Sequence, residues 1–335
     1  MSVRAALVRP STLLSAWWTL SKGHLSVWVS LSALPGFLVS VPVVGVFPLA
    51  GIMAGTALCS ASSQALNQAL EYRRDALMTR TKNRPIPTGA ISVEQAKRFA
   101  LVTGISGAGL LTIAAGGSLA PAVIALSTIG LYVNAYTPLK TVSCYNTHIG
   151  AVAGSLPVLI GFACAGGFPI LATPAPWLLF AIQTLWQFPH FYPLAWMYKD
   201  DYTKGGYQMF PLSDESGKET ARMCFPYMIA LGCLPFAASA AGVTSCMFPV
   251  SASVVTGVWM KQWWDFFLVP SKKSARTYFL GSLWYLLATM GLFAVHLEEG
   301  AEHTWRARMK LRLKSVCFHE GGGDSQHCPA LRLRE

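Results

Sequence analysis

The sequence is poor in charged residues. Of its 335 residues only 12% are Asp, Glu, Lys or Arg, against roughly 25% in soluble domains, whereas 53% are hydrophobic. Acidic residues are scarcer still, since the first 199 positions contain only Glu71, Asp75 and Glu94. This composition excludes an ordinary soluble domain and predicts a protein that crosses a lipid bilayer several times.

Closely spaced cysteine pairs are also absent. The eight cysteines include no CxxC pair, and most of them lie inside apolar segments. Disulfide frameworks and zinc sites need cysteines in defined spacings. We therefore predict small buried cysteine side chains and neither kind of site.

Long apolar runs are present in place of charge. About 20 helical residues cross a bilayer, and runs of that length recur along the chain. They define a membrane domain at 23–296 and predict an all-α, polytopic bundle of nine transmembrane helices, at 24–43, 46–66, 99–116, 119–137, 149–166, 176–196, 225–243, 246–264 and 277–296.

The net charge of +11 depends on position along the chain. Lys and Arg concentrate before the first span and in every second loop, whereas the loops 117–121, 167–175 and 244–250 carry no charge. This alternation is the positive-inside pattern of membrane proteins. It predicts a lipid bilayer rather than nucleic acid as the partner, with the N-terminus and the charged loops on the inner side.

The two ends of the chain differ from the membrane domain. Residues 1–22 contain Arg4, Arg9 and Lys22 but no acid, which fits either a mitochondrial targeting segment or a basic inside-facing terminus. Residues 297–335 are basic and contain no apolar run long enough to span, so we predict a soluble, disordered tail. A basic tail fits poorly on the outer side, where nine spans would place it.

A polar stretch, NQALEYRRDALMTRTKNRP, follows the second span at 67–85. Asn67, Glu71 and Asp75 are spaced at i, i+4 and i+8, which places them along one helix face. Two carboxylates and an amide there can bind Mg²⁺ through oxygen. The alternative is a solvated helix end at the lipid headgroups. Cations suited to phosphate follow directly: Arg80, Lys82 and Arg84.

A second polar pair, Tyr136 and Lys140 in YTPLK, ends the fourth span. The i, i+4 spacing directs a phenol and an ammonium toward the inner face that holds the first motif, where both could contact the same phosphate. An interfacial tyrosine and a snorkelling lysine are the alternative. His148 opens the next span, either as a helix-end contact or as a ligand.

The third polar stretch, WQFPHFYPLAWMYKDDYTKGGYQM, covers 186–209. His190 lies late in an aromatic span, where it is either a hydrogen-bonded bundle residue or a ligand of haem iron. Asp200 and Asp201 follow at the inner end and either complete a second metal or cation-stabilising site or cap the loop that contains Gly205 and Gly206. His24, at the start of the first span, is a further candidate iron ligand.

Together these stretches resemble the UbiA superfamily of intramembrane prenyltransferases, and most closely its haem O synthase branch. The specific segments are NQALEYRRDALMTRTKNRP, YTPLK followed by GAVAGSLPVLIG, and WQFPHF with DYTKGGYQM. The resemblance covers roughly 20–296 and implies nine membrane helices around a central cavity. The implied activity is transfer of the farnesyl group of farnesyl diphosphate to a vinyl group of haem B, with addition of water.

The resemblance also implies roles for single residues. Asn67, Glu71 and Asp75 would bind Mg²⁺ and the diphosphate head group. His190 would contact haem B, and Asp201 would stand for the family's second acidic motif. The phosphates would be bound by the side chains of Arg80, Lys82, Arg84, Tyr136 and Lys140.

The sequence departs from the family pattern at two positions. Met197 lies four residues before Asp201, where the wider superfamily has an acid, so a second Mg²⁺ is not implied. Thr141 stands where the haem branch commonly has Arg, which removes one phosphate-facing cation. The aromatic residues that would shield the allylic cation, or would simply line the bundle, are Tyr136, Trp186, Phe188, Phe191 and Tyr192.

Alternative functions and locations stay open from the sequence. An enzyme of the same fold could prenylate a quinone precursor, and a transporter or a non-catalytic haem-binding assembly factor would belong to a different class. The basic N-terminus and the haem-branch resemblance favour the mitochondrial inner membrane, with a bacterial plasma membrane as the alternative. Haem A synthase is a candidate partner.

Overall fold

A computed structural model of the chain describes residues 13–41 and 44–298, and α-helices dominate these ranges. The all-α prediction is therefore confirmed. Two short 3₁₀ turns lie at Pro169–Ala172 and Phe210–Ser213. The helices are α1 (Leu13–Leu20), α2 (Gly23–Leu38), α3 (Val46–Asp75), α4 (Val93–Ala114), α5 (Ala120–Leu139), α6 (Asn146–Gly166), α7 (Pro174–Met197), α8 (Lys199–Lys204), α9 (Lys218–Ala240), α10 (Met247–Leu268) and α11 (Lys272–His296).

Each of the nine predicted spans coincides with one long helix, in the order α2 to α7 and α9 to α11. Five of these helices, α3, α5, α6, α9 and α11, are long and apolar enough to cross a membrane, and α2 is a shorter apolar helix. The count of nine spans stays a prediction. α3 extends beyond the predicted second span at 46–66 and continues without a break to Asp75, so the polar motif lies on the same helix as that span.

The predicted end segments fall largely outside the described residues. Of the segment 1–22, the part from Leu13 onward is described, and Leu13–Leu20 forms α1. Ala16 and Leu20 are buried there and join an apolar cluster with residues of α3 and α4. The tail predicted to be disordered lies outside the description except for 297–298.

The long helices form a ring. α2 packs against α3 and α6, α4 lies against α3 and α5, and α5 contacts α6. α7 contacts α6, α9 and α11, α10 packs between α9 and α11, and α11 reaches back to α2. Two apolar clusters stabilise the two sides of the ring, one around α2 to α6 and the other around α6 to α11.

Small residues allow the closest helix contacts. At Gly161 of α6, a Cβ atom would overlap the carbonyl oxygen of Ala33 on α2. At Gly107 of α4, a Cβ atom would lie 2.8 Å from the carbonyl oxygen of Gly55 on α3. In lipid, association of helices depends on such close packing. Lipid tails are as apolar as the helix surfaces, so burying one helix against another brings no hydrophobic free energy.

α5 contains a widened turn near its inner end. Leu131–Tyr136 adopts π-helical geometry, and the Thr137 hydroxyl donates to the carbonyl of Tyr132, five residues earlier, at 2.9 Å. Pro138 has no N–H to donate and so cannot continue the regular ladder. π-Turns of this kind are frequent at functional sites, and this one precedes the YTPLK lysine.

Candidate active site

Asn67, Glu71 and Asp75 lie on the buried side of α3. Their exposed fractions are only 1%, 5% and 0%, although all three side chains are polar and two are acids. The same side of α3 carries further buried polar residues toward the middle of the bundle, including Ser60, Ser63 and Gln64. Polar groups at membrane depth usually face a cavity or a partner, and both are found here.

Each buried carboxylate is paired with a cation from another segment. Lys140 Nζ, at the end of α5, lies 2.9 Å and 3.2 Å from the two carboxylate oxygens of Glu71. Arg84 Nη1, from the loop after α3, lies 2.9 Å and 2.8 Å from those of Asp75. Burial of a charge is tolerated only with such pairing. The first and second motifs therefore meet in one cluster.

Lys22 joins this cluster, and the sequence argument did not assign it to the site. Its Nζ lies 3.5 Å from Asn67 Oδ1, while Asn67 Nδ2 donates to the Thr137 hydroxyl at 3.1 Å. Burial, and then the charges of Arg84 and Lys140, hold the pKa of Lys22 well below its ordinary value. The cluster has three basic side chains and only two carboxylates, so an added anion would stabilise it.

In the sequence, the position of Lys22 indicates membrane topology and not a binding site. It stands immediately before the first span, where a cation is usually a topology marker. Its backbone has φ 45°, in the left-handed region, which is uncommon for a residue with a side chain. That conformation turns the chain between α1 and α2, so the side chain reaches α3 from the bundle end.

Two of the predicted phosphate cations lie outside the cluster. Arg80 is exposed and its guanidinium stacks over the rings of Tyr198 and Tyr202, at 5.8 Å and 5.6 Å from their centroids. Lys82 is exposed as well. Thr141, at the position of the missing Arg, donates its hydroxyl to the carbonyl of Pro138.

Asp201 contacts a loop backbone instead of the buried acids. Its carboxylate oxygens accept the N–H groups of Thr79 and Arg80 at 3.1 Å and 3.0 Å. Burial raises the pKa of Asp201, but the N–H donors of Arg80 and Thr79 outweigh that effect and hold it below its ordinary value. These contacts join Asp201 to the loop after α3 and not to the loop at Gly205 and Gly206. Asp200 lines a separate small surface cavity with Lys272 and Arg276.

A cavity of about 660 Å³ lies inside the ring of helices. It is mainly apolar, with walls from α2, α3, α5, α6, α7 and α11. Tyr136 lines it and also lies under Lys140, whose Nζ is 4.7 Å from the centroid of the ring. The charged cluster therefore lies next to the cavity, with the ring of Tyr136 between them.

The three candidate histidines have different surroundings. His190 lines the cavity, stacks between Trp186 and Phe279 at 4.4 Å and 4.6 Å, and places its Nδ1 2.6 Å from the Ser282 hydroxyl. That bond leaves Nε2 as the ring nitrogen available to a ligand. Among the described residues, it is the histidine of these three that faces the cavity.

His148 and His24 lie elsewhere. His148 packs edge-on against Phe188 and is 3.5 Å from the Tyr227 hydroxyl, outside the cavity lining. His24 is exposed and meets Trp18 edge-on. Of the predicted aromatic shield, Tyr136, Trp186 and Phe191 line the cavity, whereas Phe188 and Tyr192 pack toward α9.

The donor atoms on α3 are hard oxygens, which suits a divalent cation such as Mg²⁺. In the described part of the chain, no three His, Cys, Asp or Glu residues form a metal cluster. Two carboxylates and one amide carbonyl on successive turns are nevertheless a fitting partial ligand set. The remaining ligands would have to be oxygens of a bound phosphate, or water.

Comparison with known proteins decides the family. The UbiA prenyltransferase family matches residues 26–287, which is most of the chain. The chain belongs to the UbiA prenyltransferase family. Among solved UbiA-type structures, it is similar to a digeranylgeranylglyceryl phosphate synthase with a TM-score of 0.67 at 14% identity, covering 85% of this chain and 98% of that one. A UbiA homologue from Archaeoglobus fulgidus bound to DMAPP and Mg²⁺ gives a TM-score of 0.55 at 13% identity, covering 84% and 99%. These likenesses show the UbiA fold.

The curated relatives are more similar in sequence. Protoheme IX farnesyltransferase from Opitutus terrae is 35% identical over 84% of this chain and 94% of its own length. The mitochondrial protoheme IX farnesyltransferases of Arabidopsis thaliana and Yarrowia lipolytica are 37% and 36% identical over 84% and 79% of this chain. This UbiA chain spans 64% and 56% of the lengths of those two relatives.

Proposed function

We propose that this protein is a protoheme IX farnesyltransferase, which joins the farnesyl group of farnesyl diphosphate to a vinyl group of haem B and gives haem O. One observation carries the proposal. A largely buried cluster of cations and carboxylates lies beside an apolar cavity inside the helix ring, separated from it by the ring of Tyr136. A substrate with a charged head group and a long apolar tail needs that combination of surroundings. The relatives named protoheme IX farnesyltransferase support haem B as the acceptor.

The charged cluster would bind the diphosphate. Lys22, Arg84 and Lys140 are held within reach of one another by Asn67, Asp75 and Glu71. A diphosphate entering there exchanges carboxylate partners for phosphate oxygens on the cations, which costs little because both are charge-assisted hydrogen bonds. Asn67, Glu71 and Asp75 would hold Mg²⁺, which when bound neutralises the negative charge of the leaving diphosphate.

The proposed reaction has two parts, ionisation of farnesyl diphosphate at the charged cluster and attack by the vinyl group within the cavity. The C1–O bond of farnesyl diphosphate breaks with its electron pair retained by diphosphate, where the cations stabilise the charge. The vinyl π electrons form the new bond to C1, and water captures the resulting cation beside the porphyrin. Tyr136, Trp186 and Phe191 present ring faces or edges to this region, which favours a passing cation. His190 would contact haem through Nε2.

The setting of the reaction is a membrane. The apolar helices and the mitochondrial relatives support the mitochondrial inner membrane as the location, and the bacterial relatives support a bacterial plasma membrane for the same chemistry. Haem O is the substrate for oxidation to haem A, so haem A synthase is proposed as the partner that accepts the product.

Acceptor choice tests the proposal. Purified protein in lipid nanodiscs, given farnesyl diphosphate and Mg²⁺, should release diphosphate with haem B but not with 4-hydroxybenzoate, because the cavity carries a histidine for the porphyrin iron. The products are separated and weighed by mass spectrometry. Prenylation of 4-hydroxybenzoate with haem B untouched would show a quinone-type enzyme, and haem binding without diphosphate release would show an assembly factor.

A further inference from the structure

Two glutamines in the wall of the cavity, Gln183 and Gln187, have no role in the proposed binding of the diphosphate or of the haem iron. Gln183, Trp186, Gln187 and His190 line the cavity together, at i, i+3, i+4 and i+7 of α7. A prenyl chain is apolar and cannot form hydrogen bonds with the two amides in this wall. The reaction does, however, require a water molecule that is placed to attack a cation.

Gln187 is fixed in one orientation. Its Nε2 donates to the Ala151 carbonyl and to the Ser155 hydroxyl, both at 2.8 Å on α6, and these acceptors determine which end of the amide is nitrogen. Among the hydrogen bonds of the described chain, none uses Gln187 Oε1. Gly154 leaves room for this oxygen, because a Cβ atom there would collide with it.

Gln183, one turn away, has a buried amide without a partner. It is 6% exposed and lines the cavity, and its Oε1 accepts no hydrogen bond from any described residue. An unpaired buried polar atom of this kind costs about 1–3 kcal/mol. A cost of that size within the cavity wall indicates a ligand that the amide receives during function.

We propose that Gln183 and Gln187 hold the water molecule that becomes the hydroxyl oxygen of the product. Residues at i and i+4 of a helix are neighbours, so one water can donate its two O–H groups to the two amide oxygens. Its lone pairs then point away from α7 into the cavity, toward the acceptor that His190 contacts on the same helix face. The inference rests on the proposed farnesyl transfer, and both glutamines act as positioning residues.

The step balances as follows. The C1–vinyl bond leaves a cation on the inner vinyl carbon, a water lone pair forms the C–O bond, and the proton lost from the resulting oxonium leaves with diphosphate. Without a positioned water, the same cation loses a proton from the neighbouring carbon instead. The product is then an alkene, lighter than the alcohol by one water.

Product partition in Gln183→Leu tests the inference. The substitution removes no hydrogen bond of the described chain, so folding and farnesyl transfer should be retained. We expect the ratio of alkene to alcohol to rise roughly tenfold, as loss of one hydrogen bond of ordinary strength would cause. Mass spectrometry measures the ratio, and isotopically labelled water should enter the alcohol only.

Thr128→Val is the matched control. Thr128 also lines the cavity, but its hydroxyl already donates to the Ile124 carbonyl at 2.8 Å, so its partition should equal that of the wild type. An unchanged partition in Gln183→Leu, even with weaker haem binding, would overturn the inference, because the amides would then serve the porphyrin. A wild-type protein that farnesylates no haem would refute the proposed function itself.

Discussion

At the scale of single residues, the site is built from opposite charges that hold one another in place. Pairing with Lys140 and Arg84 allows Glu71 and Asp75 to be buried. Lys22 lies beside them, partly buried, and contacts Asn67. In the proposed reaction, this arrangement keeps the cations and the proposed metal ligands in reach of one another before substrate arrives, which is the preorganisation that stabilises a leaving group.

Replacing Asp75 by Asn should remove most activity. The substitution deletes one metal-ligand charge and leaves Arg84 without its carboxylate, so we expect diphosphate release to fall on the order of 10²-fold or more. Glu94→Gln is the matched control. Glu94 forms an exposed i, i+4 pair with Arg98, and pairs of that kind contribute about 0–1 kcal/mol.

Membrane yield and melting temperature of the Asp75→Asn protein must accompany the assay. If Asp75→Asn is made at normal level and still releases diphosphate at the wild-type rate, the metal-ligand role assigned to Asp75 is wrong.

Some of these residues could be predicted from the sequence and some could not. Two carboxylates in an acid-poor apolar chain are conspicuous, and their i, i+4 spacing fixes a shared face as soon as the segment is helical. Lys22 was missed because its contact with Asn67 spans 45 positions. Arg80 follows the motif closely in the sequence, which suggested a phosphate-binding role. Its side chain instead lies over the rings of Tyr198 and Tyr202, which come from a distant segment.

At the scale of elements, α3 and α5 decide the geometry. α3 runs unbroken for 30 residues, so a membrane helix and the polar motif share one rigid body. The apolar span ends near 66 because hydropathy falls there, whereas the spacing of Asn67, Glu71 and Asp75 indicates that the helix continues, as it does. The widened turn of α5 could not be predicted, since Pro138 shows only that a hydrogen-bond donor is missing and not which turn widens.

The contact between α2 and α6 should depend on Gly161. Gly161→Ala places a methyl group on the Ala33 carbonyl oxygen, a backbone atom that cannot turn aside, and overpacking of this kind costs about 1–3 kcal/mol. The melting temperature in detergent should fall. Gly109→Ala is the matched control, because nothing lies within 4 Å of a Cβ there, and it should leave the melting temperature unchanged or higher. Equal melting temperatures for the two variants would contradict the packing assigned to this contact.

At the scale of the whole molecule, function depends on a ring of helices that is charged at one end and apolar within. Hydropathy predicted the positions of the long helices well, because each must bury about the same length in lipid. It did not predict which helices neighbour one another. The cavity shared by α2, α3, α5, α6, α7 and α11 is a property of the closed ring, as is the placement of His190 in it rather than His148 or His24.

The most direct test of the account is haem analysis in cells. The chain is expressed in cells that lack haem O synthase, its presence in the membrane fraction is verified, and the extracted haems are weighed by mass spectrometry. The account predicts haem O in these cells and its absence when Asp75→Asn is expressed at the same level. Haem B alone, in cells that hold the wild-type chain in their membranes, would contradict the proposed function.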